Sequence, residues 1–166
     1  MRLPAQGLRQ RDGVTCGPAV AVMAGALLDA TSDAPPDPAW FAAEQVRVHA
    51  AVNRVWPRAL GTTPRGVARA IGAHGVRYGW RRMRRGDGFA DVERAVRAHR
   101  PVAMLIGNVV PRHWVLVIGC DGDVWECYEP SSGQVRRVSP AAVRGGRLHG
   151  LGFPRAFAFV LPHSNI

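Results

Sequence analysis

The apolar run over residues 19–28 constrains the fold more than any other part of this chain. It follows Cys16-Gly17-Pro18, and because proline is well tolerated in a first helical turn, we predict a helix that begins near Cys16. A helix that is apolar on every side has no polar face to present to solvent and must be buried. The rest of the fold must therefore surround this helix.

Two further helix starts are predicted at Asp37-Pro38 and Thr63-Pro64, because an Asp or Thr side chain commonly caps a helix that opens with proline. The first of these helices is predicted to run to about residue 56, and the second to end at Gly72 or Gly75. An amphipathic helix is also predicted over residues 90–99. The stripe predicted to be buried in the helix after Pro38 consists of Trp40, Phe41, Val48, Val52 and Val55.

After Pro101 the apolar segments become short and rich in β-branched residues, which is typical of buried strands. Strands are predicted over residues 76–80, 102–106, 113–118, 124–128, 134–138 and 156–161, with a short helical turn after Ser139. Because helices come first and strands follow, we predict an α+β fold with a meander of antiparallel strands. One domain is expected over residues 1–166, with a helical part over about 16–99 and a sheet part over about 101–162.

The charge of the chain is strongly positive, at +10, and all 22 basic residues are arginine. Such a surface could attract nucleic acid, but the densest cluster, residues 81–85, has only Trp80 nearby as a stacking aromatic. We therefore favour a dispersed, solvated basic surface and expect no nucleic acid partner. No apolar run approaches the roughly 20 residues that span a bilayer, and the N-terminus lacks the pattern of a signal peptide, so a cytoplasmic protein is expected.

The three cysteines, Cys16, Cys120 and Cys127, lack the CxxC or CxxH spacing of a zinc site. Neither a metal nor another cofactor is expected. Cys120 and Cys127 flank the predicted turn at Asp121-Gly122, and we expect both to be reduced and mostly buried.

Cys16 is the candidate nucleophile, because the N-terminus of a helix and a neighbouring imidazolium both favour a thiolate. Its own backbone N–H could face a developing oxyanion, and the amide of Gln10 could supply a second donor. Taken alone, Cys16 would be better interpreted as a small core residue and Gln10 as a surface residue.

His113 is the candidate base, because it opens an apolar strand directly after a polar turn. Glu129 ends the next predicted strand and could orient the imidazole, since consecutive antiparallel strands are neighbours. The alternatives are Glu126, on the opposite face of the same strand, Asp121 and Asp123, in the turn at the far end of the hairpin, and Asn108, which could reach the site from a loop; none displaces Glu129. Trp80, Trp114 and Trp125 could line a cleft between helices and sheet, although core packing is the simpler role for at least two of them.

Three segments together resemble the papain-like peptidases of family C39 and their C39-like relatives. The segments are Gln10-x5-Cys16-Gly17-Pro18, His113-Trp114-Val115-Leu116-Val117-Ile118-Gly119 and Tyr128-Glu129-Pro130-x2-Gly133. The family pattern is a Gln six residues before Cys-Gly, a His that opens a hydrophobic strand ending in Gly, and then Asp-Pro with a Gly close behind. The family includes the domains that remove double-glycine leaders from bacteriocin precursors. The resemblance spans essentially the whole chain and implies a bacterial cysteine peptidase with a papain-like fold.

The resemblance also implies a role for each matching residue. Cys16 would be the nucleophile, His113 the general base and acid, Glu129 the residue that orients the imidazole, and Gln10 the oxyanion donor. The substrate would be a peptide or protein, contacted by Gly17, Trp114 and Asn108.

The chain departs from the family pattern in three places. Thr15 stands where the transporter-linked enzymes usually carry Asp, Glu129 replaces the expected Asp, and the 166 residues hold no transmembrane or ATPase portion. The last departure implies a free-standing protein. The same Cys-His pair could instead pass the acyl group to an amine, as in a transglutaminase-like acyltransferase, or the fold could serve as a non-catalytic peptide-binding module.

Overall fold

The computed structural model describes residues 8–29, 36–52 and 62–163. The helices are α1 (Cys16–Leu28), α2 (Pro38–Val52), α3 (Pro64–Gly72), α4 (Ala90–Arg97) and α5 (Pro140–Arg144), with a 3₁₀ turn at His149–Leu151. The strands are β1 (Tyr78–Arg82), β2 (Val102–Gly107), β3 (Pro111–Asp121), β4 (Val124–Glu129), β5 (Gln134–Val138) and β6 (Arg155–Pro162).

Helix α1 begins at Cys16 and is buried along most of its length, as predicted from its sequence. Every residue from Cys16 to Gly25 is buried. The helix packs against α2 and α3 on one side and against β3 on the other. Its small side chains allow this close approach on all sides, because little volume separates the backbone from its neighbours.

The predicted capping residues of α2 and α3 are confirmed. A side-chain oxygen of Asp37 accepts a hydrogen bond from the backbone N–H of Trp40 at 2.9 Å. Oγ1 of Thr63 accepts one from the N–H of Gly66 at 3.1 Å. In both helices proline is the first helical residue. Helix α2 is described as far as Val52, and the predicted extension over residues 53–56, including Val55, lies outside the described residues.

The predicted buried stripe of α2 is only partly correct. Phe41 is buried, but Trp40 is 47% exposed. The buried positions are Phe41, Gln45 and His49, which are spaced by four residues and lie on one face of the helix. Two polar side chains therefore occupy the face that sequence reasoning assigned to apolar residues.

The six strands form one antiparallel sheet in the order β1-β6-β2-β3-β4-β5. Strands β2 to β5 form the predicted meander, but β6 returns to lie between β1 and β2. The reason is that β6 carries apolar side chains on both faces. Ala158 and Val160 belong to one core cluster and Phe159 to the other, so this strand needs cover on both sides and fits the interior of the sheet.

Two cores lie on opposite faces of the sheet. Helices α1, α2 and α3 cover one face, together with Leu105, Trp114 and Leu116 from the strands. Helices α4 and α5 cover the other face, with Met104 and Trp125 among the buried residues. The fold is thus α+β with an antiparallel sheet, as predicted.

The division into a helical part and a sheet part near residue 100 stays a prediction; strand β1 precedes that point, helix α5 follows it, and α4 packs on the face of the sheet opposite to α1–α3. A single domain over residues 1–166 stays a prediction. None of the helices in the described ranges is long and apolar enough to cross a membrane.

Cys120 and Cys127 lie on adjacent strands but not opposite each other. Cys120 pairs with Trp125, and Cys127 pairs with Val117. All three cysteines fall within the described ranges and are free thiols there, as expected.

Candidate active site

Cys16 is the first residue of α1 and only 5% of its surface is exposed. Thr15, the N-cap residue, turns its hydroxyl towards Asp12 instead of the first turn of the helix. That hydroxyl accepts from the N–H of Asp12 at 3.0 Å and donates to the carbonyl of Asp12 at 3.2 Å. The first backbone N–H groups of a helix have no intrahelical partner and carry partial positive charge. The thiol of Cys16 therefore lies where an anion is favoured.

Gly17 is packed so closely that it must be glycine. A Cβ at this position would lie 2.6 Å from Cβ of Thr62 and 3.4 Å from Cδ1 of Trp114. The indole N–H of Trp114 donates to the carbonyl of Thr62 at 2.9 Å, and Trp114 is 2% exposed. These contacts fix the start of α1 against β3 and the segment before α3. The predicted substrate contact of Gly17 and Trp114 stays a prediction, and the structure places both in the core.

His113 lies near the start of β3, where it pairs with Ile106 of β2. It is 7% exposed. Its ring is hydrogen-bonded to the side chain of Cys16, and its Nε2 lies 2.8 Å from Oε1 of Glu129. Because Nε2 is engaged by Glu129, the nitrogen left to face Cys16 is Nδ1. The imidazole thus bridges the thiol and the carboxylate.

The carboxylate of Glu129 is held by three hydrogen bonds. Oε1 accepts from His113 and from the backbone N–H of Ser131 at 2.8 Å, and Oε2 accepts from the N–H of Ser132 at 2.8 Å. The turn after β4 therefore folds back on the side chain that ends the strand. A carboxylate that accepts several hydrogen bonds is fixed in its ionised form.

The ionisation states of His113 and Glu129 depend on each other. Burial on its own lowers the pKa of His113, but the hydrogen bonds and charges of Cys16 and Glu129 outweigh it and raise the pKa to about 9. Burial likewise acts to raise the pKa of Glu129, but the bond from His113 and those from Ser131 and Ser132 lower it to about 2. At neutral pH the pair is therefore an imidazolium and a carboxylate.

Gln10 lies beside the same turn. Its backbone N–H donates to the carbonyl of Pro130 at 2.7 Å. Its side-chain Nε2 donates to the carbonyl of Asp12 at 2.6 Å, and its Oε1 accepts from the hydroxyl of Ser131 at 3.3 Å. The amide predicted to hold an oxyanion is thus engaged by Asp12, and its role as a donor stays a prediction.

The alternative candidates lie elsewhere. Glu126 is on β4 opposite Gly119, at a register position away from His113. Asn108 is exposed in the loop between β2 and β3, and its predicted substrate contact stays a prediction. Of the other tryptophans, Trp125 is fully buried and Trp80 is 46% exposed.

Sequence reasoning missed four contributors to the site. Thr62 packs on Gly17, and Ser131 and Ser132 bind the carboxylate through their backbones. The ring of Phe153 lies 6.0 Å from that of His113, tilted by 37°. The turn residues Ser131-Ser132-Gly133 directly follow Glu129-Pro130, and this local sequence pattern predicts backbone N–H groups near the Glu129 side chain. The contacts of Thr62 and Phe153 join distant parts of the chain and leave no local pattern.

A cavity of about 500 Å³ lies between α1, α2 and α3. Its walls include Ala21, Trp40 and Ala70, so it lies among the helices and not at the junction of α1 with β3 where the thiol is. Among the described residues, no group of three or more His, Cys, Asp or Glu side chains could hold a metal ion.

Two solved structures resemble the chain over nearly its full length. One is a double glycine motif protease from an AMS/PCAT transporter in complex with the leader peptide, with a TM-score of 0.54 and 18% identity over 98% of this chain and 94% of that one. The other is the peptidase domain of Streptococcus ComA, a bifunctional ABC transporter involved in a quorum-sensing pathway, with a TM-score of 0.50 and 16% identity over 95% of this chain and 98% of that one. No family model and no curated protein matches the sequence.

A buried helix that starts at a cysteine and packs on an antiparallel sheet bearing a histidine is the arrangement of papain-like cysteine peptidases, and the chain has that fold. Within this class, its fold is that of the C39 double-glycine peptidase domains.

Proposed function

We propose that this protein is a cysteine peptidase that cleaves a peptide or protein substrate. One observation carries the proposal: the ring of His113 is hydrogen-bonded to Cys16 on one side and to Glu129 on the other. A nucleophile within reach of a base, with that base oriented by a third group, is the recurring arrangement of acyl-transfer enzymes.

In the resting enzyme, Nδ1 of His113 already holds the proton given up by the Cys16 thiol, and in the first step the thiolate sulfur forms a bond to the carbonyl carbon of the substrate as the carbonyl π bond opens. The negative charge that develops on the carbonyl oxygen is stabilised by the backbone N–H of Cys16. The side-chain amide of Gln10 is the second proposed donor, and it would have to exchange its bond with the carbonyl of Asp12 for one to the oxyanion.

In the second step, the imidazolium gives its proton to the leaving amine, and the carbon–nitrogen bond breaks. Water then attacks the thioester, His113 takes its proton, and the carbon–sulfur bond breaks to release the acid and restore the thiolate–imidazolium pair. Glu129 remains a carboxylate throughout and stabilises the imidazolium, because its pKa is held near 2. Gly17 and Trp114 support this chemistry by holding Cys16 in place, and Asn108 is the exposed candidate for substrate contact.

A peptide substrate is supported by the neighbour in complex with a leader peptide, which shares this fold. The closing test uses a peptide chloromethyl ketone, which alkylates an activated thiol. Labelling is mapped by mass spectrometry in the wild type, Cys16→Ala and His113→Ala. The matched control is His149→Ala, which removes an exposed histidine in the 3₁₀ turn.

We expect rapid labelling at Cys16 that is lost in His113→Ala and kept in His149→Ala. Cys127 serves as an internal reference, because burial and the nearby charge of Glu126 raise its pKa to about 12. Labelling of Cys16 no faster than a free thiol peptide would overturn the peptidase proposal and favour a non-catalytic module. With a peptide ester as substrate in place of the chloromethyl ketone, transfer of the acyl group from Cys16 to an added amine in preference to water would identify an acyltransferase.

A further inference from the structure

Gln45 is a fully buried amide in the middle of α2. Its neighbours along the buried face of that helix are Phe41 and His49. A buried amide is costly unless its hydrogen-bonding groups find partners, so its contacts show what it does in the fold.

Both ends of this amide bind the backbone on either side of Gln10. Nε2 of Gln45 donates to the carbonyl of Arg9 at 3.1 Å, and Oε1 accepts from the N–H of Arg11 at 2.9 Å. The side chain therefore binds the segment as a neighbouring strand would, and its two bonds straddle Gln10.

The segment is also held from the side of the sheet. The N–H of Gln10 donates to the carbonyl of Pro130 at 2.7 Å, directly after Glu129. The buried hydroxyl of Tyr128 donates to the carbonyl of Leu8 at 2.7 Å. Residues 8–11 are thus fixed between α2 and the end of β4. We call these hydrogen bonds to residues 8–11 the clamp, and its α2 half is the side chain of Gln45.

We infer that Gln45 is a positioning residue for the proposed reaction, which sets the place of Gln10 relative to Cys16 through the backbone of Arg9 and Arg11. The inference rests on the proposed function. The bonds of the Gln45 amide go to the segment and not to the thiol, so Gln45 acts on the reaction through Gln10. The conformation of residues 9–11 decides where the amide of Gln10 points when it leaves the carbonyl of Asp12.

The test compares Gln45→Met with the wild type, because methionine is of similar length but makes neither hydrogen bond. The measured quantities are kcat and KM for a chromogenic peptide ester and the rate of acylation of Cys16. Loss of one oxyanion donor typically costs about 10²–10³-fold in kcat, so a misplaced donor is expected to cost at least about tenfold. KM is expected to stay within about twofold, since the oxyanion exists only after attack.

The readout that separates positioning from general stability is a double-mutant cycle with Gln10→Ala. If Gln45 acts through Gln10, Gln45→Met lowers kcat in the wild type but has less than about a twofold effect once Gln10 is alanine. Equal loss in both backgrounds overturns the inference. Gln45→Asn, which is one methylene too short to bridge Arg9 and Arg11, gives a second variant if Gln45→Met does not fold.

Amide hydrogen exchange distinguishes failure of the inference from failure of the proposed function. The N–H of Arg11 is expected to exchange slowly in the wild type and at least about tenfold faster in Gln45→Met, whether or not the protein turns over a peptide. Unchanged exchange at Arg11 overturns the clamp itself. A wild type with the clamp intact but no acylation of Cys16 by the ester overturns the proposed function, and with it the catalytic consequence of the clamp.

Discussion

Nε2 of His113 and Oε1 of Glu129 lie 2.8 Å apart, with about nine-tenths of each side chain buried. Glutamate is one methylene longer than the aspartate of the C39 pattern, and the turn after β4 accommodates the extra length. The N–H groups of Ser131 and Ser132 hold the two oxygens of the carboxylate, so its orientation is fixed despite the longer stem. The substitution therefore keeps the contact with the histidine.

Replacing this carboxylate by an amide tests its charge. In Glu129→Gln one acceptor oxygen is lost and an N–H₂ group faces either a backbone N–H or the imidazole. We expect the rate of Cys16 labelling to fall by about 10²-fold, within the range of acid–base contributions. The free energy of unfolding should fall by about 1–3 kcal/mol, because a buried donor loses its partner.

Glu126→Gln is the matched control for that change, since Glu126 is on the same strand but pairs opposite Gly119. Labelling kinetics and urea denaturation are measured for both variants. A Glu129→Gln protein that labels as fast as Glu126→Gln would show that the thiol does not depend on this carboxylate.

The contribution of the His113–Glu129 pair to the stability of the fold is expected to fall at both high and low pH. The pKa of His113 is raised from 6.5 to about 9, so its stabilisation is complete below pH 6.5 and is lost as the pH rises through about 9. The pKa of Glu129 is lowered from 4.5 to about 2, so its stabilisation is complete above pH 4.5 and is lost as the pH falls towards 2. The pair therefore stabilises the fold most between about pH 4.5 and 6.5.

Urea denaturation of the wild type and of His113→Gln between pH 4 and 10 isolates this contribution from that of the other histidines. The difference in unfolding free energy should shrink by up to about 3 kcal/mol between pH 6.5 and 9.5. A difference that stays constant across that range would mean that the imidazole is not charged in the folded protein.

Gly17→Ala tests the close packing behind the thiol. The new Cβ would lie 2.6 Å from Cβ of Thr62, closer than side-chain carbons can approach, so the start of α1 and the segment that carries Thr62 must move apart. Overpacking of this kind typically costs about 1–3 kcal/mol. Thermal unfolding should show that loss, and Cys16 labelling should slow as the thiol moves from His113.

Gly13→Ala provides the comparison, because a Cβ there would meet no described atom within 4 Å. It should leave both thermal unfolding and labelling close to the wild type. If the two alanine variants behave alike, the contact with Thr62 does not constrain the start of α1.

Arg81→Ala tests the ion pairs that join β1 to α4 and to the turn before it. Arg81 is hydrogen-bonded to Asp91 at 2.5 and 2.7 Å and to Asp87 at 2.5 Å, and its guanidinium lies 5.0 Å from the centre of the Phe159 ring. Its side chain is 13% exposed and that of Asp87 only 6%. Removing one member of a buried pair leaves an uncompensated charge, and we expect a loss of about 2–4 kcal/mol in urea denaturation.

Arg97→Ala is the exposed counterpart. Its bond to Glu93 is 3.2 Å long and its side chain is 60% exposed, so the expected change is below about 1 kcal/mol. Similar losses in the two variants would argue that burial does not set the strength of the Arg81 contacts.

Much of the secondary structure could be predicted because its signals are local. Thr63-Pro64 and Asp37-Pro38 mark helix starts by their own chemistry, and the hairpin at Asp121-Gly122 follows from its turn residues. The proximity of His113 and Glu129 was also foreseeable, because the two strands that carry them are consecutive and antiparallel.

What could not be predicted depends on which surfaces meet after folding. Trp40 and Gln45 lie on the same helix. Hydrophobicity predicts that Trp40 is buried and Gln45 exposed, but Gln45 is buried and Trp40 is about half exposed. Gln45 is buried because the backbone of Arg9 and Arg11 satisfies its amide, and these partners lie 36 and 34 residues away. The central place of β6 was missed for a similar reason, since both of its faces are apolar and only the complete sheet shows where such a strand fits.

The position of β6 also sets the order in which this molecule can be completed during synthesis. Strands β1 and β2 are joined through β6, and residues 155–162 of β6 are made after the other described strands of the sheet. Until that strand is inserted, the sheet exists as separate pieces and both of its apolar faces are incomplete. Long-range strand pairing of this kind is slow, so the joining of β1 to the rest of the sheet is expected to be a late event in folding.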